Sequence, residues 1–241
     1  MKHGLIFDLD GTLVDSLQGI AASLNHALAS SGLPVHSHAA VRGFIGNGAK
    51  ILIRRASPAD ADEALLDTIE QDFKAHYDLS WQTGTIIYPG ITDLLESLQS
   101  RAHLLAVLSN KPHPFTVAMV SQLFPSVRFA AVLGQRPGIP HKPDPAGALE
   151  ISAALGLSPA ECCVIGDSTM DIETARNAGM RAIAVTWGFH DRERLLAAGA
   201  DRLVDEPIEL LDLNLDSAEA GSARPELDTT RISLGEISPP E

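Results

Sequence analysis

Leu5-Ile6-Phe7-Asp8-Leu9-Asp10-Gly11-Thr12 opens with three apolar residues and turns, within two positions, to a pair of carboxylates and a glycine. A short continuous apolar run ending in polar residues reads as a buried parallel strand. Residues i and i+2 of an extended chain project to the same side, so Asp8 and Asp10 converge where that strand ends. Gly11 lets the backbone turn sharply behind them. Alone, an Asp-X-Asp of this kind is most simply a solvated acidic strand end. The rest of the chain changes that balance.

Similar apolar runs recur at 104–108, 129–133, 162–165 and 182–185, with a weaker one at 202–204. Helical periodicity separates most of them, at 91–98, 115–123, 146–155 with Gly156 behind it, and 172–178 with Gly179 behind it. This alternation predicts an α/β fold with a Rossmann-like, doubly wound parallel sheet as its core. Residues 16–85 break the pattern. They hold no convincing strand and three helical patterns, at 17–29, 39–56 and 59–79, with Asp60 marking the start of the third. An insertion behind the first strand overhangs the edge where such sheets bind ligands, which makes it a small α-helical cap. The expected organisation is a catalytic core of residues 1–15 and 86–213, a cap of 16–85, and a tail, 214–241. The tail is acidic, rich in Ser and Pro, and expected to be disordered.

Composition narrows the function classes. The 241 residues carry 18 Lys and Arg against 31 Asp and Glu, a formal charge of −13. A nucleic-acid partner is not expected on that balance, since phosphate-backbone binding needs a basic face. A small phosphorylated metabolite is compatible, because a metal ion and one or two lysines reverse the field locally. The only cysteines, Cys162 and Cys163, are adjacent and would face opposite sides of a strand, so no disulfide framework is expected. That fits a reducing, cytoplasmic setting. The first apolar run is too short for a signal peptide or a membrane span, so no membrane partner is expected. Monomer and homodimer both stay open.

Three further motifs follow predicted strands. Leu108-Ser109-Asn110-Lys111 offers a hydroxyl, His141-Lys142-Pro143-Asp144-Pro145 a cation, and Gly166-Asp167-Ser168-Thr169-Met170-Asp171 two more carboxylates. Singly, Ser109 is a turn residue, Lys142 a solvated cation and Asp167 a helix N-cap. Together, all at one edge of a parallel sheet, they make a site. Asp8 and Asp167, with a backbone carbonyl nearby, form a hard oxygen cage that suits Mg²⁺. Ser109 and Lys142 neutralise a phosphoryl group, and positioning and charge stabilisation are most of what phosphoryl transfer requires. Asp8 is placed as a nucleophile, and Asp10 beside it as acid and then base.

These motifs resemble those of the haloacid dehalogenase-like hydrolase superfamily, whose first motif is similar to residues 8–16. The resemblance spans about residues 5–211. It implies that Asp8 is nucleophile and metal ligand, and that Asp10 gives a metal-binding carbonyl and acid–base catalysis. Ser109 and Lys142 then bind phosphate, with Thr12 and Asn110 among the phosphate or substrate contacts. Asp167 binds the metal, and Asp171 stands behind it. Within the superfamily the chain resembles phosphoglycolate phosphatases with a small helical cap. In that group Phe44-Ile45-Gly46-Asn47-Gly48 is similar to the cap loop that meets the substrate, and Tyr88-Pro89-Gly90 to the return into the core. Gly46, Asn47 and Gly48 are therefore expected at the substrate. The implied activity is Mg²⁺-dependent hydrolysis of a small phosphomonoester through an aspartyl-phosphate.

A phosphosugar mutase, a pyrophosphatase or a nucleotidase could use the same core. A dehalogenase has no use for the Asp10 and Mg²⁺ apparatus, and a non-catalytic binding module would be expected to lose Asp8 or Asp167. The chain departs from its relatives at His190, where they often carry Arg, and that residue is expected to lie remote from the four motifs. His36 and His38 read as surface residues rather than ligands, and Trp187 and Phe189 as packing at a strand end.

Overall fold

The structure is a computed structural model that describes residues 2–213, so the expected tail lies outside the described residues. Strand β1 (Gly4–Phe7) is buried along its whole length. Leu5 and Phe7 enter one apolar cluster and Ile6 the other, as a strand covered on both faces requires. The chain then forms a brief strand β2 (Val14–Asp15) and four helices, α1 (Leu17–Ser30), α2 (His38–Phe44), α3 (Ala49–Ala56) and α4 (Glu63–Ser80). Next come β3 (Ile86–Ile87), α5 (Ile91–Ser100), β4 (Leu104–Pro112), α6 (His113–Leu123), β5 (Phe129–Gln135) and α7 (Ala146–Leu155). β6 (Cys162–Gly166), α8 (Thr169–Ala178), β7 (Arg181–Val185), α9 (Arg192–Ala197), β8 (Arg202–Val204) and a 3₁₀ turn over Pro207–Asp212 complete the described chain.

Six strands make one sheet in the order β5-β4-β1-β6-β7-β8, with every pairing parallel. The chain builds outward from β1 on one side through β4 and β5, then crosses to fill the other. Such a reversal opens a crevice at the carboxyl ends of the central strands. Helices seal both faces through apolar stripes. In α5, for example, Ile91, Leu94, Leu95 and Leu98 are the buried residues, the spacing of a single helical face. Cys163 packs into one cluster and Cys162 into the other, both as free thiols.

Three expectations change on this fold. The helical pattern at 39–56 is two helices, because Ile45 is extended and Gly46 and Gly48 take positive φ of 120° and 81°. Buried Val41 and Leu52 stand about three turns apart, so the apolar stripe runs through the break and hides it. The next helix starts at Glu63 rather than near Asp60, because Asp62 is the N-cap and accepts the Leu65 N–H at 2.8 Å. Finally, β4 continues to Pro112 instead of stopping at 108, so Ser109, Asn110 and Lys111 are strand residues. An unexpected antiparallel pair, β2 with β3, ties together the two ends of the helical insertion.

Candidate active site

Asp8 is the first residue past β1, and its N–H still bonds to the Ile165 carbonyl of β6 at 2.9 Å. That bond fixes the backbone from which the carboxylate projects. Lys142 places its ammonium 2.9 Å from Asp8 Oδ1 and 2.6 Å from Asp171 Oδ1, and donates to the Leu108 carbonyl at 3.1 Å. Asn110 holds the Lys142 backbone from β4, accepting its N–H at 2.8 Å and donating to its carbonyl at 3.1 Å. Asp171 accepts both the N–H and the hydroxyl of Ser168, at 3.1 and 2.6 Å. Ser168, not Asp167, is therefore the N-cap of α8, and Asp167 stays free for the site.

Asp167 accepts the Thr12 hydroxyl at 3.0 Å and the Phe189 N–H at 2.6 Å. Gly11 makes room for it: its φ is +88°, and a β-carbon there would collide with the Asp167 carboxylate. Asp8, Asp167 and Asp171 are all buried and present carboxylate oxygens within 4.8 Å of one another. Burial pushes Asp8 up to about 7, with Lys142 pulling the other way and Asp171 adding to the rise. Burial, then the charges of Asp8 and Asp171, raise Asp167 well above the usual carboxylate range. Burial alone would lower Lys142, but Asp171 and Asp8 hold it above the ordinary lysine value.

Asp10 has a separate set of partners. Ser16 donates its hydroxyl to Oδ1 at 2.5 Å, and Lys111 donates to both oxygens at 3.0 Å. The Lys111 ammonium also lies 4.6 Å from the ring centre of Tyr77, a residue of α4 in the insertion.

A cavity of about 70 Å³ opens beside these groups, although Lys142, Asp171 and Thr12 do not line it. Asp8, Asp10, Ser109, Lys111 and Asp167 line it from the sheet edge, and Ile45, Gly46, Gly48, Phe73 and Tyr77 from the insertion. The insertion is fastened over it by three links. Asn110 donates to the Gly46 carbonyl at 2.9 Å, and Asn47 to the Met170 sulfur at 3.3 Å. Arg42 bonds to the carbonyls of Phe189 and Gly188.

Most of the expected residues gather here, but not in every expected posture. Asn47 turns its side chain to Met170 and Arg55 and does not line the cavity. The Thr12 hydroxyl is spent on Asp167, and Asn110 is occupied by Lys142 and Gly46. Asp171 is committed to Lys142 and to the Ser168 hydroxyl, each at 2.6 Å. His190, expected to be remote, lines the cavity and accepts the Thr169 N–H at 3.2 Å, because the loop after β7 runs beside the start of α8. His36 faces the Ala56 carbonyl at 2.8 Å. Trp187 donates its indole N–H to the Thr12 carbonyl at 3.0 Å, a polar tether as well as packing.

A family model for haloacid dehalogenase-like hydrolases matches residues 5–185, most of the chain. The chain belongs to this family. Among its relatives is a phosphoglycolate phosphatase of Mesorhizobium japonicum, 35% identical over 78% of this chain and 84% of that protein. Another, from Pectobacterium atrosepticum, is 31% identical over 88% of this chain and 92% of its own length. A crystal structure of a predicted phosphoglycolate phosphatase from Haemophilus somnus superposes with a TM-score of 0.82 at 29% identity, covering 88% of this chain and 97% of that one. These likenesses make the chain a phosphatase. Among the described residues, no helix of this hydrolase is long and apolar enough to cross a membrane.

Sequence reasoning about the hydrolase passed over Lys111, Tyr77 and Arg42. Lys111 stood inside a quoted motif, directly after Ser109 and Asn110, and was the signal available. Tyr77 and Arg42 sit in helical patterns that give no sign of what they meet.

Proposed function

We propose that the protein is a Mg²⁺-dependent phosphatase that hydrolyses a small phosphomonoester of the phosphoglycolate type through an aspartyl-phosphate on Asp8. The carrying observation is the buried trio Asp8, Asp167 and Asp171, matched by one ammonium, that of Lys142. Three carboxylates against one cation leave negative charge buried, and their oxygens are the hard donors that Mg²⁺ takes. Asp8 and Asp167, with the Asp10 backbone carbonyl, would hold the ion, while Asp171 is committed to Lys142 and Ser168. When bound, the ion neutralises phosphoryl charge and keeps both ligand carboxylates ionised.

Asp8 attacks phosphorus, and the new oxygen–phosphorus bond forms as the ester bond breaks. Lys142, 2.9 Å from Asp8 but not itself on the cavity wall, stabilises the charge that develops there, and the Ser109 hydroxyl lines the cavity directly. Asp10, entering the cycle protonated, gives its proton to the leaving alkoxide and, now ionised, takes one from the water that cleaves the aspartyl-phosphate. Residues 16–85 act as the cap, covering the reaction and reopening for release. The small cavity and the phosphoglycolate phosphatases among the relatives both support a substrate of two or three carbons. The buried free thiols support a cytoplasmic setting.

A panel of phosphomonoesters assayed with and without Mg²⁺ tests this. Phosphoglycolate and its small analogues should outrun nucleotides, EDTA should abolish turnover, and Mg²⁺ should restore it. Undiminished turnover after exhaustive EDTA treatment would overturn the metal assignment, and a preference for nucleotides the substrate class.

A further inference from the structure

We infer that Lys111 and Tyr77 form the subsite for a carboxylate at the non-phosphate end of the substrate. The inference rests on the phosphoglycolate-type reading and adds to it the groups that select the acid. Among the described residues lining the cavity, Lys111 carries the only ammonium. Its side chain is 6% exposed, so its charge acts in a water-poor setting where it is little screened. An ammonium has three donors, and two of them go to the two oxygens of Asp10, which leaves the third, on the side of Tyr77, to be shared with a ligand.

Tyr77 supplies the second, independent observation. It lines the same cavity, is 1% exposed, and its hydroxyl completes no hydrogen bond among the described residues, although the Lys111 ammonium and the Thr85 hydroxyl are its polar neighbours. Buried hydroxyls are normally satisfied, so one left open beside a cavity marks a place for an acceptor. A carboxylate accepts from both groups at once. Phe73, Phe115, Ile20 and Leu52 also line the cavity and give a neutral or extended polar group nothing to bond on their side. Because Lys111 comes from β4 and Tyr77 from α4, the acid would bridge the core and the insertion. A substrate lacking the carboxylate leaves that bridge unmade.

The competing account is that Lys111 only orients Asp10. Two substrates separate the two, because a disturbed Asp10 slows both, whereas a lost subsite slows only the acid. kcat/KM is measured with Mg²⁺ for phosphoglycolate and for ethyl phosphate, in wild type, Lys111→Met and Tyr77→Phe. Wild type should prefer phosphoglycolate. That preference ratio should fall about tenfold in Tyr77→Phe, which removes only a hydroxyl. It should fall about thirtyfold or more in Lys111→Met, mainly through KM, while any general loss cancels in the ratio. A ratio that survives in both variants overturns the subsite and leaves the phosphoglycolate reading standing. A wild type that hydrolyses ethyl phosphate as well as phosphoglycolate overturns both.

Discussion

The sheet edge and the helical roof meet across one cavity, yet they are built by different means. At the edge, Lys142 bonds Asp8 and Asp171 side chain to side chain, and all three are buried. Beside the apolar cluster that the roof shares with the core, its polar links mostly engage backbone carbonyls, as Asn110 bonds that of Gly46 and Arg42 those of Phe189 and Gly188. Breaking an edge contact leaves a buried charge without its partner, which costs far more than the contact returns when formed. Breaking a roof contact hands a carbonyl to water, which solvates it at little cost. On this contrast the polar links of the roof are the cheaper ones to open, as the proposed cap role requires.

Lys142→Met tests the edge and should have the largest effect. Activity should fall about 10³-fold through the lost charge stabilisation. The melting temperature should also drop, by the equivalent of about 3–5 kcal/mol, because Asp8 and Asp171 lose their shared cation. A thermal melt and kcat on one preparation read both, and a loss of under about tenfold would assign Lys142 to the scaffold alone.

Arg42→Ala tests the roof and should do much less. The loss of its carbonyl bonds should lower kcat/KM about two- to tenfold, with little change in the melt. A loss as large as that of Lys142→Met would erase the contrast between edge and roof.

The same contrast governs what could be read from the chain. The edge is legible because parallel strands announce themselves as short apolar runs, and most of the chemical residues stand at their ends. Asp8 and Asp167 follow β1 and β6 directly and Ser109 lies in the last part of β4, while Lys142 stands in the loop between β5 and α7. Lys111 was hidden because its partner, Asp10, lies 101 residues away, and a lysine at a strand end usually meets solvent. Tyr77 reads as one more apolar position on α4, beside Phe73, and only the tertiary packing brings it over the ammonium. The break at Ile45–Gly48 was masked by an apolar stripe that stays in phase on both sides. Asn47 pointed to the substrate on the strength of its loop, but side-chain direction within a turn is set by neighbours, here Met170 and Arg55.

Asp8 as the nucleophile is the claim on which the rest depends, and trapping the intermediate tests it most directly. The enzyme is mixed with radiolabelled phosphoglycolate and Mg²⁺, quenched in acid during turnover, and its labelled peptide mapped. The account predicts label on the peptide that contains Asp8, released by hydroxylamine as an acyl phosphate must be. Asp8→Asn, folded to the same melting temperature and checked for deamidation, should carry no label and turn over no substrate. Label on another residue, or wild-type turnover in that variant, would contradict the account.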